Sequence, residues 1–168
     1  QSGHISRNNY TGNWETPTSW DPDWNIPATN ISNSRIVING YITCNGPLTF
    51  SGTSDTLSIN DTLVIYGDLT LANKNIISVN AKGILIVYGN LISDNKVSIA
   101  SELNAFLVVT GNFIKNGSAS EGSFISDNVP TNVFIGGTVQ AGLSSSSYPV
   151  FNCPGSSPYP DSKCNYGN

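Results

Sequence analysis

Two tryptophans and two aspartates lie together near the start of the chain, in the run SWDPDWN that begins at Ser19. An indole ring stacks on a sugar ring, and carboxylate oxygens bind sugar hydroxyls or calcium. Trp20, Asp21, Asp23 and Trp24 are therefore candidates for contact with a glycan or a cation. We favour the alternative, a capping loop whose aspartates bond nearby backbone amides. Since the sequence has no EF-hand or nonapeptide calcium repeat, we predict no metal and no cofactor.

The sequence offers little for acid–base or nucleophilic catalysis. His4 is the only histidine and lies close to the first residue, so a Ser-His-Asp or Cys-His site would have to be built on a terminus. Cleavage of a glycosidic bond needs two carboxylates facing one cleft. In the repeats described below, however, Asp68 is followed by Asn90 and Asn112, which predicts a structural ladder of polar side chains. We therefore predict that the protein is not an enzyme.

Three cysteines are present. Cys153 and Cys164 flank a stretch rich in Pro, Ser and Gly that closes easily into a loop, so we predict a disulfide between them. Cys44 lies in a predicted strand, where we expect a buried thiol. No close CxxC pair is present, which argues against a zinc site.

Five glycines anchor an internal repeat, and two consecutive steps of 22 residues separate the central three. The aligned segments are 36–43, 63–71, 85–93, 107–115 and 133–140, with anchors at Gly40, Gly67, Gly89, Gly111 and Gly137. A second, weaker strand is predicted in each unit, at 56–61, 76–81, 97–102 and 123–127. Because the strands are short and β-branched and no segment has a helical period, we predict almost no helix.

Similarity at a fixed period favours a solenoid over a sandwich, because equivalent residues of a solenoid stack on one another. We predict an all-β, single-stranded parallel β-helix of about five rungs, with Tyr66 stacked on Tyr88. Residues 1–34 hold all three tryptophans and are predicted to cap the solenoid, which occupies 35–142. Residues 143–168 form a Pro/Ser-rich tail that contains the predicted disulfide.

Charged residues make up only 11% of the chain, whose net charge is −4, whereas Asn, Ser and Thr number 22, 23 and 13. The acidic balance and the absence of a basic stripe exclude nucleic acid as an expected partner. No apolar run is long enough to span a bilayer, so we expect no membrane insertion. Because the chain starts at Gln1 and lacks Met, we expect a secreted protein whose signal peptide is removed before Gln1.

The Trp-rich opening NYTGNWETPTSW and the repeats from Thr62 to Leu91 resemble secreted and cell-surface proteins of Bacteroidota that leave the cell through the type IX secretion system. The resemblance implies an adhesive or filament role, with other surface proteins or further modules of the same polypeptide as partners. The alternative function is a carbohydrate-binding module or polysaccharide-active β-helix protein. Thr56 and Thr62 also match the Asp-Thr-aliphatic pattern of bacterial O-glycosylation, and Asn-x-Ser/Thr sequons begin at Asn9, Asn30, Asn60 and Asn116.

Overall fold

A computed structural model describes residues 2–72, 74–93, 98–101, 104–115, 123–126 and 133–141. The predicted disulfide pair, Cys153 and Cys164, and the predicted tail 143–168 lie outside these residues.

The described residues contain nineteen short strands and one 3-10 turn, Pro17–Ser19. In chain order the strands are β1 (Ser2–Ser6), β2 (Thr11–Asn13), β3 (Trp20–Asp21), β4 (Asn30–Ile31), β5 (Ser34–Ile38), β6 (Tyr41–Cys44), β7 (Leu48–Phe50), β8 (Thr56–Ile59), β9 (Thr62–Ile65), β10 (Leu69–Leu71), β11 (Ile76–Val79), β12 (Ile84–Val87), β13 (Leu91–Ser93), β14 (Ser98–Ser101), β15 (Phe106–Val109), β16 (Phe113–Lys115), β17 (Ser123–Ser126), β18 (Val133–Ile135) and β19 (Val139–Ala141).

The strands form three sheets, and from β4 onward each strand pairs in parallel with the strand three elements later. Sheet one has the order β17-β14-β11-β8-β5-β1-β3, sheet two β18-β15-β12-β9-β6-β2, and sheet three β19-β16-β13-β10-β7-β4. The chain is therefore a β-solenoid in which each coil passes through all three sheets. This confirms the predicted all-β class, the parallel solenoid and the near absence of helix.

The predicted two-strand repeat is wrong, because each coil has three strands. Segment 63–71, predicted as one strand, divides into β9 and β10, and Gly67 lies at the corner between them. The chain turns there with φ of +155° at Gly67, a conformation that favours glycine.

The alignment of Gly40 with the later anchors is also wrong. Leu48 pairs with Leu69, which places Gly46 at the corner equivalent to Gly67. Gly40 instead precedes β6, one corner earlier in the coil. The alignment of Gly67, Gly89, Gly111 and Gly137 is confirmed, because β10, β13, β16 and β19 pair in matching register.

The core is a column of apolar side chains enclosed by the three sheets. Alternate residues of each strand point inward, as the two-residue period of a strand requires. In β8 and β12, for example, Leu57, Ile59, Leu85 and Val87 are buried, whereas their neighbours are partly exposed. Burial of each such side chain contributes about 1.5–3 kcal/mol, which holds the coils together.

The segment predicted as a cap also supplies strands to the solenoid. β1, β2 and β4 pair in parallel with β5, β6 and β7. Residues 14–29 form an insertion between β2 and β4, and within it β3 pairs antiparallel with β1 at the end of sheet one. The sheets thus extend past the predicted boundary at 34/35 into the first residues of the chain.

Candidate glycan-contact site

The loop 21–25 is fastened to the first strand by its last residue. The Asn25 side-chain amide donates to the Gly3 carbonyl at 2.7 Å, and Nδ1 of His4 lies 3.0 Å from the Asn25 carbonyl oxygen. Within the loop, the Asn25 backbone N–H donates to Pro22 O at 2.9 Å, and the Asp21–Pro22 peptide bond is cis. The loop is therefore positioned by β1, and the only histidine serves this anchoring contact.

Arg7 brings the two predicted aspartates together. Its guanidinium donates to the Asp23 carboxylate, lies 3.8 Å from the Asp21 carboxylate, and donates through Nε to Thr18 O at 3.0 Å. All three side chains of the ion pairs are at least a third exposed, so each pair adds at most about 1 kcal/mol. Both carboxylates therefore contact the Arg7 guanidinium, whereas the capping-loop interpretation expects hydrogen bonds from backbone amides.

The two predicted tryptophans have opposite environments. Trp24 is 80% exposed, whereas Trp20 is 0% exposed. The Trp20 indole N–H donates to Trp14 O at 2.7 Å, and its ring meets that of Trp14 edge-to-face at 5.2 Å. Of the two rings, only Trp24 offers a surface on which a ligand can stack.

A cleft of about 390 Å³ lies beside the Arg7 cluster. Its lining residues are Ile5, Ser6, Arg7, Asn8, Asp21 and Asn39. An exposed isoleucine thus faces a guanidinium, a carboxylate and two amides. This mixture suits a ligand with an apolar face and many hydroxyl groups, such as a sugar. Among the described residues, no group of three His, Cys, Asp or Glu side chains is placed to hold a metal ion.

The two threonines of the O-glycosylation pattern differ in access. Thr56 is half-buried, whereas Thr62 is 6% exposed and its hydroxyl donates to Asp61 Oδ1 at 3.2 Å. Asp55, which precedes Thr56, is buried. Modification at Thr56 and Thr62 stays a prediction, and at Thr62 it requires local opening of the corner.

The predicted polar ladder runs along the corner between sheets two and three. The backbone N–H groups of Asn90, Asn112 and Thr138 each donate, at 2.8 Å, to the side-chain Oδ1 one coil earlier. The acceptors are Asp68, Asn90 and Asn112 in turn. These side chains satisfy backbone amides, which is a structural task.

Cys44 is buried and free, as predicted. Burial raises the pKa of its thiol, although a backbone hydrogen bond with Gly46 acts in the opposite direction. The Glu15 carboxylate also raises this pKa. The thiol is therefore protonated and packed, with no part in the cleft.

No protein-family model, curated protein or solved structure matches this chain. Within the described residues, no helix is long and apolar enough to cross a membrane.

Proposed function

We propose that the chain is a secreted structural or adhesive module of a cell surface, one subunit of an extracellular assembly, without catalytic activity. In this proposal about five rungs form the solenoid, the Trp14–Trp20 pair caps its first coil, and the disulfide Cys153–Cys164 clips the tail. Export follows the type IX route that the resemblance implies. Other surface proteins, or further modules of the same polypeptide, are the partners.

The observation that carries this proposal is the repetition of coil contacts along three parallel sheets. Each corner that recurs is held by side-chain hydrogen bonds between neighbouring coils, to backbone amides at two corners and to other side chains at the third, which gives a rod with polar, mostly uncharged corners. Asn60, for example, donates to Asn39 Oδ1 at 2.8 Å at an exposed corner. Such a rod suits a spacer or display element, because its length grows with the number of repeats while its cross-section stays constant.

A second candidate function is carbohydrate binding at the loop 21–25. It is favoured by one specific observation, the 80% exposure of Trp24 next to the Arg7–Asp23 ion pair. Exposed tryptophans in polar surroundings are frequent anchors of recognition sites. In this function Asp21 and Asp23, oriented by Arg7, accept hydrogen bonds from sugar hydroxyls.

Surface location tests the first proposal. Intact source cells are treated with a protease, and the chain is followed with an antibody beside a cytosolic marker protein. We expect the chain to be cleaved or released while the marker stays intact. Recovery of the chain only from the cytosolic fraction would overturn the proposal.

A glycan array tests the second candidate. We expect the full chain to bind a subset of glycans and the Trp24→Ala variant to lose that signal. Tyr88→Ala is the matched control, because it removes an aromatic ring of 47% exposure from a different corner. Equal losses in both variants, or no binding by the parent chain, would exclude a site at Trp24.

A further inference from the structure

A row of asparagine amides, exposed at Asn60 and partly exposed at Asn39 and Asn80, follows the corner between sheets one and two. Asn39, Asn60 and Asn80 come directly after β5, β8 and β11, and their side chains bond in series. The Asn60 amide donates to Asn39 Oδ1 at 2.8 Å, and the Asn80 amide donates to Asn60 Oδ1 at 2.6 Å. The row therefore runs parallel to the solenoid axis, with one amide per coil.

The row retains hydrogen-bonding capacity after these bonds are made. A side-chain amide has two N–H donors and two acceptor lone pairs. Asn60 uses one donor and one lone pair in the row, and its side chain is exposed. One donor and one acceptor of Asn60 thus remain for a ligand, in an orientation that the row of amides fixes.

The row begins in the cleft described above. Asn39 lines that cleft together with Arg7 and Asp21. Ser6, one coil below Ile38, supports the corner by accepting the Asn39 backbone N–H at 2.8 Å. Cleft and row are therefore one continuous surface.

A second row of outward-facing side chains runs beside the amides, apolar in the first two coils and formed by small hydroxyl side chains in the next two. Ile5 pairs with Val37, Val37 with Ser58, and Ser58 with Ser78. Val37, Ser58 and Ser78 lie two positions before the asparagines and are partly exposed, whereas Ile5 is 48% exposed. We call the two rows together the amide track, namely Asn39, Asn60 and Asn80 with Ile5, Val37, Ser58 and Ser78.

We propose that the amide track binds an extended, neutral polysaccharide that lies parallel to the solenoid axis, with about one sugar ring per coil. The inference deepens the second candidate function and rests on it. The amides supply donors and acceptors for ring hydroxyls, Ile5 and Val37 contact the apolar ring face, and Ser58 and Ser78 add hydroxyl groups along the track. Trp24 lies in the loop that borders the same cleft and holds the end of the polymer.

The spacing of the amides favours a sugar polymer over a peptide. Neighbouring coils are about 4.8 Å apart, which is close to the advance per ring of an extended chain of six-membered sugars. An extended peptide advances about 3.3 Å per residue, so its repeat does not match the spacing of the track. A neutral polymer is favoured because two aspartates pair with the single Arg7 in the cleft.

Titration calorimetry of the full chain with neutral β-1,4-linked gluco- and manno-oligosaccharides of increasing length tests the inference, with polygalacturonate as the anionic comparator. We expect affinity to increase with each added ring until the track is spanned. Asn60→Ala should weaken the long oligosaccharides by about five- to tenfold, the effect of losing one or two hydrogen bonds. Asn80→Ala should weaken only the long ones. Asn45→Ala, an exposed amide at the next corner, is the matched control and should bind as the parent does.

Circular dichroism first establishes that every variant is folded. The following results would then contradict the proposal. Binding that is lost in Trp24→Ala but unchanged in Asn60→Ala overturns the track and leaves the second candidate function standing. No binding by the parent overturns both, whereas the surface-module proposal is judged separately by the protease experiment. Tighter binding of polygalacturonate than of the neutral sugars overturns the preference for neutral polymers.

Discussion

At two corners of the solenoid, side-chain oxygens accept hydrogen bonds from the backbone N–H groups of a neighbouring coil, but the bonds run in opposite directions along the axis. At the corner between sheets two and three, an amide N–H donates to the side chain one coil earlier, as Asn112 does to Asn90. At the corner between sheets three and one, an N–H donates to the side chain one coil later, as Ser34 does to Asp55 and Asp55 to Asn75, each at 2.8 Å.

The corners also differ in how closely the backbone is stacked. At the first, which we call the glycine corner, Gly89 lies directly over Gly67, and a Cβ at Gly89 would be 2.6 Å from the Gly67 carbonyl oxygen. At the second, which we call the aspartate corner, the buried side chains of Asp55 and Asn75 fill the turn instead. Both corners therefore depend on side-chain hydrogen bonds, and the glycine corner requires in addition that glycine stacks on glycine.

Gly89→Ala should have the largest effect. The new Cβ would lie 2.6 Å from Gly67 O and 2.8 Å from Asp68 Oδ1, and the first of these atoms belongs to the backbone. We expect the free energy of unfolding to fall by about 2–3 kcal/mol, as overpacking does elsewhere. Urea denaturation measures this change. Gly3→Ala is the control, since nothing lies within 4 Å of its added Cβ. Equal stability of the two variants would show that the glycine corner does not depend on close backbone stacking.

Asn90→Ala should have the next largest effect. It removes the acceptor of the Asn112 backbone N–H, and leaving such a donor unpaired costs about 1–2 kcal/mol. Asn90→Asp should be nearly neutral, because Asp68 already accepts the equivalent bond with a carboxylate. If Asn90→Asp were as destabilising as Asn90→Ala, the ladder would not be the reason for an amide at this position.

Much of the fold could be predicted because Gly67, Gly89 and Gly111 are separated by coils without insertions. The third strand was missed because the residues around Gly67 read as one continuous apolar strand when the glycine is placed inside it. The sequence aligns Gly40 with Gly67 because similar apolar residues precede both glycines. The true equivalent, Gly46, is less evident because Pro47 follows it where Asp68 follows Gly67.

The candidate site was less accessible to sequence analysis. Trp20 and Trp24 each lie next to an aspartate in the sequence, where the contact that helps to bury Trp20, its packing against Trp14, is not visible. Arg7 precedes Asp23 by sixteen residues, and no local pattern links the two. The amides at 39, 60 and 80 were visible as residues, but their common corner depends on the three-strand coil that the repeat alignment lacked.

Asp55→Asn should stabilise the aspartate corner. Asn75 donates its side-chain N–H to Phe50 O at 3.0 Å, whereas Asp55 Oδ2 is buried without a hydrogen-bond partner. Ile31 pairs with Phe50, so its carbonyl occupies the equivalent place one coil earlier, where it already accepts the Ser51 backbone N–H at 2.8 Å, as Phe50 O accepts the Ala72 backbone N–H at 2.8 Å. An amide at position 55 would supply the missing donor, and we expect a gain of about 1 kcal/mol in urea denaturation at neutral pH.

The reciprocal change, Asn75→Asp, is the control for this prediction. It should destabilise the chain by a similar amount, because it removes the donor to Phe50 O. Loss of stability in Asp55→Asn would instead mean that the carboxylate has a role at this corner that Asn75 does not share.

Cys44 gives the smallest expected effect and probes the base of the glycine corner, where its thiol donates to Gly46 O. Because burial raises the pKa of this thiol above its value of 9.0 in the unfolded chain, the folded state retains the proton to higher pH. The stabilisation is present below pH 9 and is lost as the pH rises through the folded-state pKa, so the free energy of unfolding should fall over that range. Cys44→Ala should be less stable at neutral pH but should lose this part of the pH dependence, which parallel urea denaturations at pH 7 and above pH 9 measure. An identical pH dependence in both proteins would show that the thiol titrates alike in the folded and unfolded states, and hence that the glycine corner is open to solvent at its first coil.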